Sequence, residues 1–313
     1  MTANNEERDV EYDRKLFVEM VENRTDILKS TGQDRFSLGA WSFSKLKVLE
    51  KCPFQFYLKY ILKAKLPASL QALVDTTAAD IGSAAHRILE LIIQDKNLEE
   101  SYAIAKSEFC PDKLSEEQWA ENLETVEYNI VKFQERIERF KIRYKVKKIY
   151  TEVRIGVTKD WKPAEFFGSN VYFRGVIDLF LLMENHDAVL IDHKFGPPAV
   201  MGVRNFRDQL NTYKPLINYG FAELNNASTG VHFIRDGEVV MDSPSDKEDV
   251  REKLKVGLEW NLDGAVDAVK EMGFYKHKRG PHCVYCEYNG LCKPGQLKKV
   301  EKMTGKFFQI HPE

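Results

Sequence analysis

The chain has 313 residues, of which 43% are hydrophobic and 30% are charged, and its formal net charge is −2. This composition is typical of a globular protein with one large or two small cores. The near-neutral charge excludes a global attraction to nucleic acid, so a basic surface that binds it must be local. No stretch approaches the roughly 20 apolar residues of a membrane span, and the polar, acidic start of the chain is unlike a secretory signal.

The N-terminal third is predicted to be helical. The first 40 residues are polar and weakly patterned, with one helix near Arg14–Leu28. Firm structure is expected just after them, where Ser42 or Ser44 can cap a helix. Pro53 suits the first turn of a second helix, which runs to Leu62.

A third helix is predicted over Gly82–Gln94, and the clearest periodic pattern follows it. Seven apolar residues recur there at spacings of three and four, which places them on one stripe of a long helix. The opposite face is rich in lysine and arginine. The stripe consists of Leu123, Val126, Ile130, Phe133, Ile137, Phe140 and Tyr144.

The pattern then changes to β-branched and aromatic runs, which are typical of strands. The second run is too apolar to have a solvent-exposed face, so it is expected to be a central strand. Two later strands are expected to form a hairpin across an Asp236-Gly237 turn. A helix precedes that hairpin, and another follows it behind a capping box of Ser245 and Glu248. The strands are Ile149–Val157, Val171–Met183, Ala188–Phe195, Thr229–Arg235 and Glu238–Met241, and the helices are Asn205–Tyr219 and a long helix from the Ser245 cap to about Met272.

Asp178 lies inside the apolar central strand. A carboxylate there is costly unless it is paired or binds a metal. Asp192 and Lys194 share one face of the next strand, while His193 points the other way. Two carboxylates and a lysine can hold Mg²⁺ and stabilise a phosphodiester under attack, but a buried Asp–Lys salt bridge is an equally good interpretation, because Asp-x-Lys alone is a weak motif.

Three flanking residues favour the functional interpretation. His86 lies near the start of an otherwise apolar helix, where a core histidine is the more common alternative. Gln209 and Tyr213 are four residues apart on one helix, so they face the same way. They can contact a phosphate or a base, or support the site.

Taken in order, these residues resemble the RecB-type branch of the PD-(D/E)xK nuclease superfamily. The resemblance covers roughly residues 41–296 and is closest to the Fe–S members, which include AddB-like nucleases and CRISPR-adaptation-type exonucleases. Its motifs are Ser42-Phe-Ser44, Cys52-Pro53, Gly82-x-x-x-His86, Gly175-Val-Ile-Asp178, Ile191-Asp-His-Lys194, Gln209-x-x-x-Tyr213 and a final cysteine triplet.

The resemblance implies an α/β fold, in which a mixed sheet is flanked by helices and carries a helical insertion. The implied ligands of Mg²⁺ or Mn²⁺ are His86, Asp178, Asp192 and the carbonyl of His193, and the implied catalytic residues are Asp178, Asp192, Lys194, Gln209 and Tyr213. Glu152 is a weaker match to an acidic position of some relatives and is left out of the predicted ligands. A tyrosine is common in relatives where this chain has His193, a change expected to affect packing rather than chemistry.

Four cysteines are candidates for a second metal site. Cys52 lies more than two hundred residues before Cys283, Cys286 and Cys292, and Cys110 is the odd one. Four thiolates suit a 4Fe–4S cluster or a tetrahedral Zn²⁺. Structural zinc is more typical of two CxxC-like pairs, so the cluster is favoured over zinc and over unliganded thiols. Its expected role is to fasten the C-terminal segment to the helix that carries Cys52.

Two basic surfaces are candidates for contacts with the DNA backbone. An ordinary solvated helix face is an equally good interpretation of the first, on the long helix. Phe54, Phe56 and Tyr57 could stack on bases, although this spacing is more typical of core residues. The basic candidates are Arg136, Arg139, Arg143, Lys276, Lys278 and Arg279.

The sequence therefore predicts a metal-dependent deoxyribonuclease, most simply an exonuclease on single-stranded or frayed DNA ends, with a structural 4Fe–4S cluster. The alternatives are an endonuclease on branched or duplex DNA and an inactive DNA-binding scaffold. DNA is the expected partner, a helicase or recombination or CRISPR proteins are further candidates, no membrane is involved, and the expected compartment is the cytoplasm, or the host cytoplasm for a viral protein. The expected organisation is a polar segment over 1–40, one nuclease domain over 41–297 (helical 41–148, catalytic core 149–245, helix and cluster segment 246–297) and a basic tail over 298–313.

Overall fold

The computed structural model describes residues 12–13, 15–20, 39–71, 75–110, 112–196, 203–221, 224–242, 248–270, 278, 280–289, 298–301 and 307–310. The chain forms two compact units, one of Met1–Asp75 with Asn261–Glu313 and one of Thr76–Trp260. Among the described helices, none combines the length and the hydropathy that crossing a bilayer requires.

The smaller unit joins segments from both ends of the chain. Its helices include α1 (Phe43–Lys51), α2 (Pro53–Phe56), which continues as a π-helix over Tyr57–Ile61, and α3 (Ala68–Gln71). A 3₁₀ turn at Pro281–Tyr285 and an antiparallel strand pair, Lys298–Glu301 with Phe307–Ile310, follow late in the chain. Ser42 caps α1 by accepting a hydrogen bond from the backbone of Lys45, and Pro53 occupies the first turn of α2, both as predicted.

The aromatic run after Cys52 builds the core of this unit. Phe56 and Tyr57 have no exposed surface, and Tyr288 from the C-terminal segment packs with Tyr57. The core interpretation of these two aromatics is therefore confirmed, and the alternative that they stack on bases is wrong. The Tyr288 hydroxyl donates to the carbonyl of Ala64 at 3.0 Å, which fixes the C-terminal segment against the N-terminal helices.

The larger unit contains helices before, between and after its strands. They are α4 (Thr77–Ile93), α5 (Leu98–Phe109), α6 (Glu116–Asn122), α7 (Glu127–Arg143), α8 (Val203–Gly220) and α9 (Glu248–Lys270), the last of which ends in the smaller unit. The sequence patterns missed α5 and α6, although each has a cap signal, since Asn97 accepts from Glu100 N and Ser115 forms a capping box with Gln118. Ser245 and its predicted capping box lie outside the described residues.

The predicted apolar stripe is divided between three elements rather than one helix. Leu123 ends α6, a 3₁₀ turn covers Glu124–Val126, and α7 carries the rest. Five of the seven residues are buried as the periodicity predicts, but Tyr144 caps the helix C-terminus with 46% of its surface exposed. The periodic pattern found the buried face correctly and missed the break in the backbone.

The sheet of the larger unit is mixed and has six strands. They are β1 (Val146–Val157), β2 (Pro163–Ala164), β3 (Phe173–Met183), β4 (Ala188–Lys194), β5 (Ala227–Phe233) and β6 (Glu238–Asp242). The order is β2-β1-β3-β4-β5-β6, so the predicted central strand β3 is an interior strand. β3 and β4 form an antiparallel hairpin, while β5 runs parallel to β4 after the crossover through α8.

The main core lies between this sheet and α4–α7. Ile88 from α4, Phe133 from α7, Leu179 from β3 and Val189 from β4 belong to one buried cluster. Burial of apolar surface, at about 25 cal/mol per Å², is the dominant favourable contribution to the folding of such a unit. The cluster holds α4 firmly against the end of the β3–β4 hairpin, where the predicted acidic residues lie.

Candidate metal and catalytic site

The two predicted catalytic aspartates lie where β3 and β4 separate. Leu179 and Ile191 form the last pair of the ladder toward this end, so Asp178 and Asp192 come one residue beyond it on their strands. The backbone N–H of His193 donates to Asp178 Oδ2 at 2.6 Å, which replaces the missing ladder bond. The hairpin predicted from the sequence therefore brings both carboxylates to one place.

His86 reaches the same place from α4. Its Nε2 lies 2.9 Å from the carbonyl oxygen of His193, and its Nδ1 lies 3.6 Å from Asp178 Oδ2. With the proton on Nε2, that nitrogen donates to the carbonyl and Nδ1 faces the carboxylate with a lone pair. Ala84 and Ala85 are fully buried beside it, which keeps this part of α4 close to the sheet.

Glu152 is not among the metal ligands predicted from the sequence, yet it lies in the site. It stands opposite Asp178, between the pairs Thr151↔Leu179 and Val153↔Ile177, and it has a φ of 51°. One ligand atom each from His86, Glu152 and Asp178 lie within 4.8 Å of one another. The signal that identifies Glu152 is the β1–β3 register, which no local pattern reveals.

Lys194, Gln209 and Tyr213 surround Asp192. Lys194 Nζ lies 2.6 Å from Asp192 Oδ2, and Gln209 Nε2 donates to Asp192 Oδ1 at 2.8 Å and to the Tyr213 hydroxyl at 3.1 Å. A Cβ at Gly175 would lie 2.8 Å from a ring carbon of Tyr213, so only glycine admits the ring there. The predicted positioning pair on α8 thus contacts the site as expected from its i, i+4 spacing.

A buried histidine pair lies behind the site. His193 Nδ1 is 3.0 Å from His232 Nδ1, and the ring of Phe133 stacks on His232 with centroids 3.8 Å apart. Burial lowers the pKa of His232 to about 3 and lowers that of His193 well below its ordinary range. Both imidazoles are therefore neutral, and the His193 side chain acts in packing, as the sequence predicts.

The electrostatics of the site favour a cation. Burial raises the pKa of Asp178, and the charge of Asp192 raises it further. Burial and then Asp178 raise the pKa of Glu152, while burial and then Lys194 lower that of His86. A bound divalent cation would favour ionisation of these carboxyl groups and would keep the imidazole neutral, as a metal ligand requires.

The donor set fits a hard divalent cation. Three carboxylates and an imidazole offer oxygen and nitrogen ligands of the kind that Mg²⁺ or Mn²⁺ accept. Asp192 is 5% exposed, and its Oδ2 has no aligned hydrogen-bond donor among the described residues despite its short ion-pair contact with Lys194. A carboxylate oxygen has more than one lone pair, so this oxygen can ligate a cation while it stays paired with Lys194.

The described basic candidates make contacts within the protein. Arg136 donates to the carbonyl of Gly237 at 2.9 Å, and Lys278 donates to the carbonyl of Glu50 at 2.9 Å. Arg139 lies 3.9 Å from a carboxylate oxygen of Glu135, and the Arg143 guanidinium lies over the ring of Tyr144. Lys276 and Arg279 lie outside the described residues. The role of all these residues in DNA binding stays a prediction.

Three of the four clustered cysteines line one small pocket in the smaller unit. Cys52, Cys283 and Cys286 share it with Phe54 and Tyr288, and neighbouring walls come from Gln55, His282 and Asn289. Burial raises the pKa of the Cys286 thiol to about 12, and the neighbouring thiols add to the shift. Convergent thiols of this kind fit a soft metal centre, which would hold them as thiolates. Cys292 lies outside the described residues, and Cys110 follows α5 in the larger unit.

Comparison with known proteins identifies the family of this chain. The model of the PD-(D/E)XK nuclease superfamily matches residues 40–293. Among solved structures, a "Putative exonuclease" from Eubacterium rectale is 13% identical, with a TM-score of 0.45, over 83% of this chain and 91% of that one. The protein SSO0001 is 11% identical, with a TM-score of 0.30, over 71% of this chain and 86% of that one. None of the curated proteins matches this chain in sequence.

Proposed function

Because the chain belongs to the PD-(D/E)XK nuclease superfamily, we propose that it hydrolyses phosphodiester bonds of DNA with Mg²⁺ or Mn²⁺. The observation that carries this proposal is the convergence of His86, Glu152 and Asp178 on one point, next to Asp192 and Lys194. Members of this superfamily use divalent metal ions, and the donor set of this chain fits one. An inactive scaffold would have no need of an ionisable cluster in which burial opposes ionisation.

Different residues of the chain have different roles in the proposed hydrolysis. His86, Glu152, Asp178, Asp192 and the carbonyl of His193 are the proposed ligands. A divalent cation held there supplies Lewis acidity to the attacking water and to the phosphodiester.

Lys194 brings a positive charge to the place where negative charge grows on the phosphorus-bound oxygens. Its ammonium group is 2.6 Å from Asp192 Oδ2, so the carboxylate holds it at the metal site. Gln209 holds the other oxygen of Asp192 and the Tyr213 hydroxyl, which fixes the orientation of the carboxylate. Gln209 and Tyr213 are therefore proposed to position Asp192, Lys194 and the DNA.

We further propose that the enzyme is an exonuclease on single-stranded or frayed ends. The order of its motifs supports this, since it resembles that of the RecB-type Fe–S exonucleases. An endonuclease of the same fold on branched or duplex DNA is the second candidate. A helicase, recombination or CRISPR partner and a cytoplasmic location remain predictions from the same resemblance.

A structural 4Fe–4S cluster is proposed at Cys52, Cys283, Cys286 and Cys292, with Zn²⁺ as the alternative. Three of these thiols line one pocket, and the segments that carry them belong to the same unit although they lie at opposite ends of the chain. After purification without oxygen, a cluster gives broad absorption near roughly 400 nm. One zinc per chain without that absorption would replace the cluster by zinc.

The test of the catalytic proposal compares linear and circular single-stranded DNA in Mn²⁺ or Mg²⁺. The wild type is expected to degrade the linear form, whereas Asp192→Ala is inactive and Asp236→Asn, an exposed acid in the β5–β6 turn, is fully active. Cleavage of the circular form would favour the endonuclease. Absence of metal-dependent cleavage of any DNA would remove the enzyme proposal.

A further inference from the structure

An aromatic and arginine cluster, which we call the Phe167 platform, lies on the strands that carry the metal site. It consists of Arg154, Phe166, Phe167 and Arg174. Arg154 is two residues after Glu152 on β1, and Arg174 is four residues before Asp178 on β3. At about 3.3 Å per residue, the platform starts within roughly 15 Å of the carboxylates along these strands.

The two arginines share one face of the sheet. Arg154 pairs with Val176, and Arg174 pairs with Gly156, so the register places both side chains on the same side. Their guanidinium carbons lie 5.9 and 4.8 Å from the ring centroid of Phe166, and each lies 5.6 Å from that of Phe167. The cations and rings therefore form one continuous surface.

A tight turn presents the two rings. The backbone N–H of Gly168 donates to the carbonyl of Glu165 at 2.8 Å, with Phe166 and Phe167 at the centre of the turn. Arg174 donates to the carbonyl of Phe166 at 3.1 Å, and the two rings meet edge to face with centroids 4.9 Å apart. These contacts hold the Phe167 ring in place although 72% of its surface is exposed.

The arginines of the platform form no close ion pair with a described carboxylate. Glu152 acts electrostatically on Arg154 without a salt-bridge contact. A single exposed phenylalanine is ordinary on a protein surface. A fixed exposed ring beside two guanidinium groups without a close carboxylate has the chemistry that binds a stacked base and its phosphates.

We propose that the Phe167 platform binds the single-stranded part of a DNA substrate beside the metal site, with a base stacked on Phe167 and neighbouring phosphates on Arg154 and Arg174. This proposal rests on the proposed nuclease function and names the substrate form that the site receives. Because the face of a base is free only outside the duplex stack, the platform selects single strands and frayed ends. Stacking of this kind tolerates any base sequence.

The test measures binding of a fluorescent oligothymidine to the full chain by anisotropy, in EDTA so that no cleavage occurs. Phe167→Ala is expected to weaken binding by about 5- to 100-fold, the range for loss of one base–aromatic stack. Phe167→Trp is expected to bind as well as the wild type. The matched control is Trp260→Ala on α9, which removes an aromatic ring that is 77% exposed and is expected to leave binding unchanged.

The salt dependence of DNA binding distinguishes the contribution of the Phe167 ring from that of the arginines. Arg154→Ala is expected to reduce the slope of log K against log salt by about 0.7, as for one lost phosphate contact on a single strand, whereas Phe167→Ala leaves the slope unchanged. Arg154 carries this test because Arg174 also holds the turn.

Unchanged affinity in Phe167→Ala, or an equal loss in Trp260→Ala, would overturn the platform, and so would a wild type that binds no oligothymidine. Cleavage by the wild type in Mn²⁺ is scored separately. If cleavage occurs and Phe167→Ala binds normally, the platform alone falls. If Phe167→Ala weakens binding and the wild type does not cleave, the platform stands and the nuclease proposal falls.

Discussion

Glu152 combines an unfavourable backbone with a place in the metal site. Its φ of 51° is rare for a residue with a side chain, and such a conformation costs on the order of 1–3 kcal/mol. The ladder on either side keeps its register, so the surrounding strands hold the residue in this conformation. Backbone strain of this kind is common at sites where a side chain must have one orientation. Here it puts a carboxylate beside His86 and Asp178.

Replacement of this carboxylate tests whether Glu152 is a ligand. Glu152→Gln is expected to raise the Mn²⁺ concentration for half-maximal cleavage by about tenfold or more, since removing a group close to a metal ligand commonly costs this much affinity. Thermal stability without metal is expected to be unchanged or higher, because the repulsion with Asp178 is removed. Normal Mn²⁺ dependence in the variant would show that Glu152 is not a ligand.

The raised pKa of Asp178 predicts how stability without metal depends on pH. A carboxyl group whose folded pKa lies above its unfolded value holds a proton in the folded state that the unfolded chain releases, so the free energy of unfolding falls as pH rises above about 4. Asp178→Asn is expected to flatten this decline. A bound cation favours the ionised carboxylates, so stabilisation by Mn²⁺ is expected to be larger at pH 8 than at pH 5.

Thermal unfolding at both pH values, with EDTA and with Mn²⁺, checks this expectation. The expectation is wrong if, in EDTA, the wild type is more stable at pH 8 than at pH 5 and this gain in stability exceeds that of Asp178→Asn.

At the residue scale, the sequence was sufficient for side chains within one strand or helix. Alternation on a strand placed Asp192 and Lys194 together, and the i, i+4 spacing placed Gln209 beside Tyr213. The sequence alone does not predict a role in the site for Glu152 or Phe167. Their proposed roles depend on the β1–β3 register, a long-range feature that puts Glu152 opposite Asp178 and brings Arg154 beside Arg174.

At the scale of elements, the contact between α8 and β3 depends on one glycine. Gly175→Ala would place a Cβ 2.8 Å from Cε1 of Tyr213, and the ring would have to move. The expected destabilisation is about 1–3 kcal/mol, with a fall in cleavage, because displacement of Tyr213 disturbs Gln209 and Asp192.

Gly257→Ala on α9 is the matched control. Its added methyl group meets nothing within 4 Å, so it is expected to be neutral or to stabilise the protein by up to about 1 kcal/mol. Chemical denaturation and cleavage rates of both variants check the pair. Equal behaviour of the two would show that α8 tolerates displacement of Tyr213.

Helix and strand prediction succeeded where end signals and burial agreed. Ser42 and Pro53 marked the starts of α1 and α2, and the Asp236-Gly237 turn joined β5 to β6 with Gly237 at a φ of 66°. β1 begins three residues before its predicted start, because Val146 already pairs with Met183 across a register shift. Pairing of this kind is set by the partner strand.

At the scale of the whole molecule, the smaller unit consists of the two ends of the chain. The described contacts between these two ends include the ion pair of Lys59 with Glu287 at 2.7 Å and the packing of the buried Tyr288. Four metal–thiolate bonds at Cys52, Cys283, Cys286 and Cys292 would add a covalent clasp. The sequence predicted that these segments meet, and the structure brings three of the thiols together.

Cys286→Ser is expected to unfold the C-terminal segment and to abolish cleavage, although no cysteine takes part in the chemistry. Cys110→Ser removes a thiol of the larger unit and is the matched control, expected to keep metal content and activity. Limited proteolysis, iron and zinc content and cleavage rate are the measurements. A Cys286→Ser protein that stays folded and fully active would refute the clasp.

Lys194, held by Asp192 beside the cluster of His86, Glu152 and Asp178, is proposed to act in metal-dependent DNA hydrolysis. The most direct measurement is the initial rate of degradation of linear single-stranded DNA in Mn²⁺ by the wild type and by Lys194→Ala, with Mn²⁺ binding of both proteins measured by calorimetry. For Lys194→Ala we expect a fall of about 10²–10³-fold in rate with Mn²⁺ binding retained. A wild type that binds Mn²⁺ but leaves DNA intact, or a Lys194→Ala variant as fast as the wild type, would contradict it.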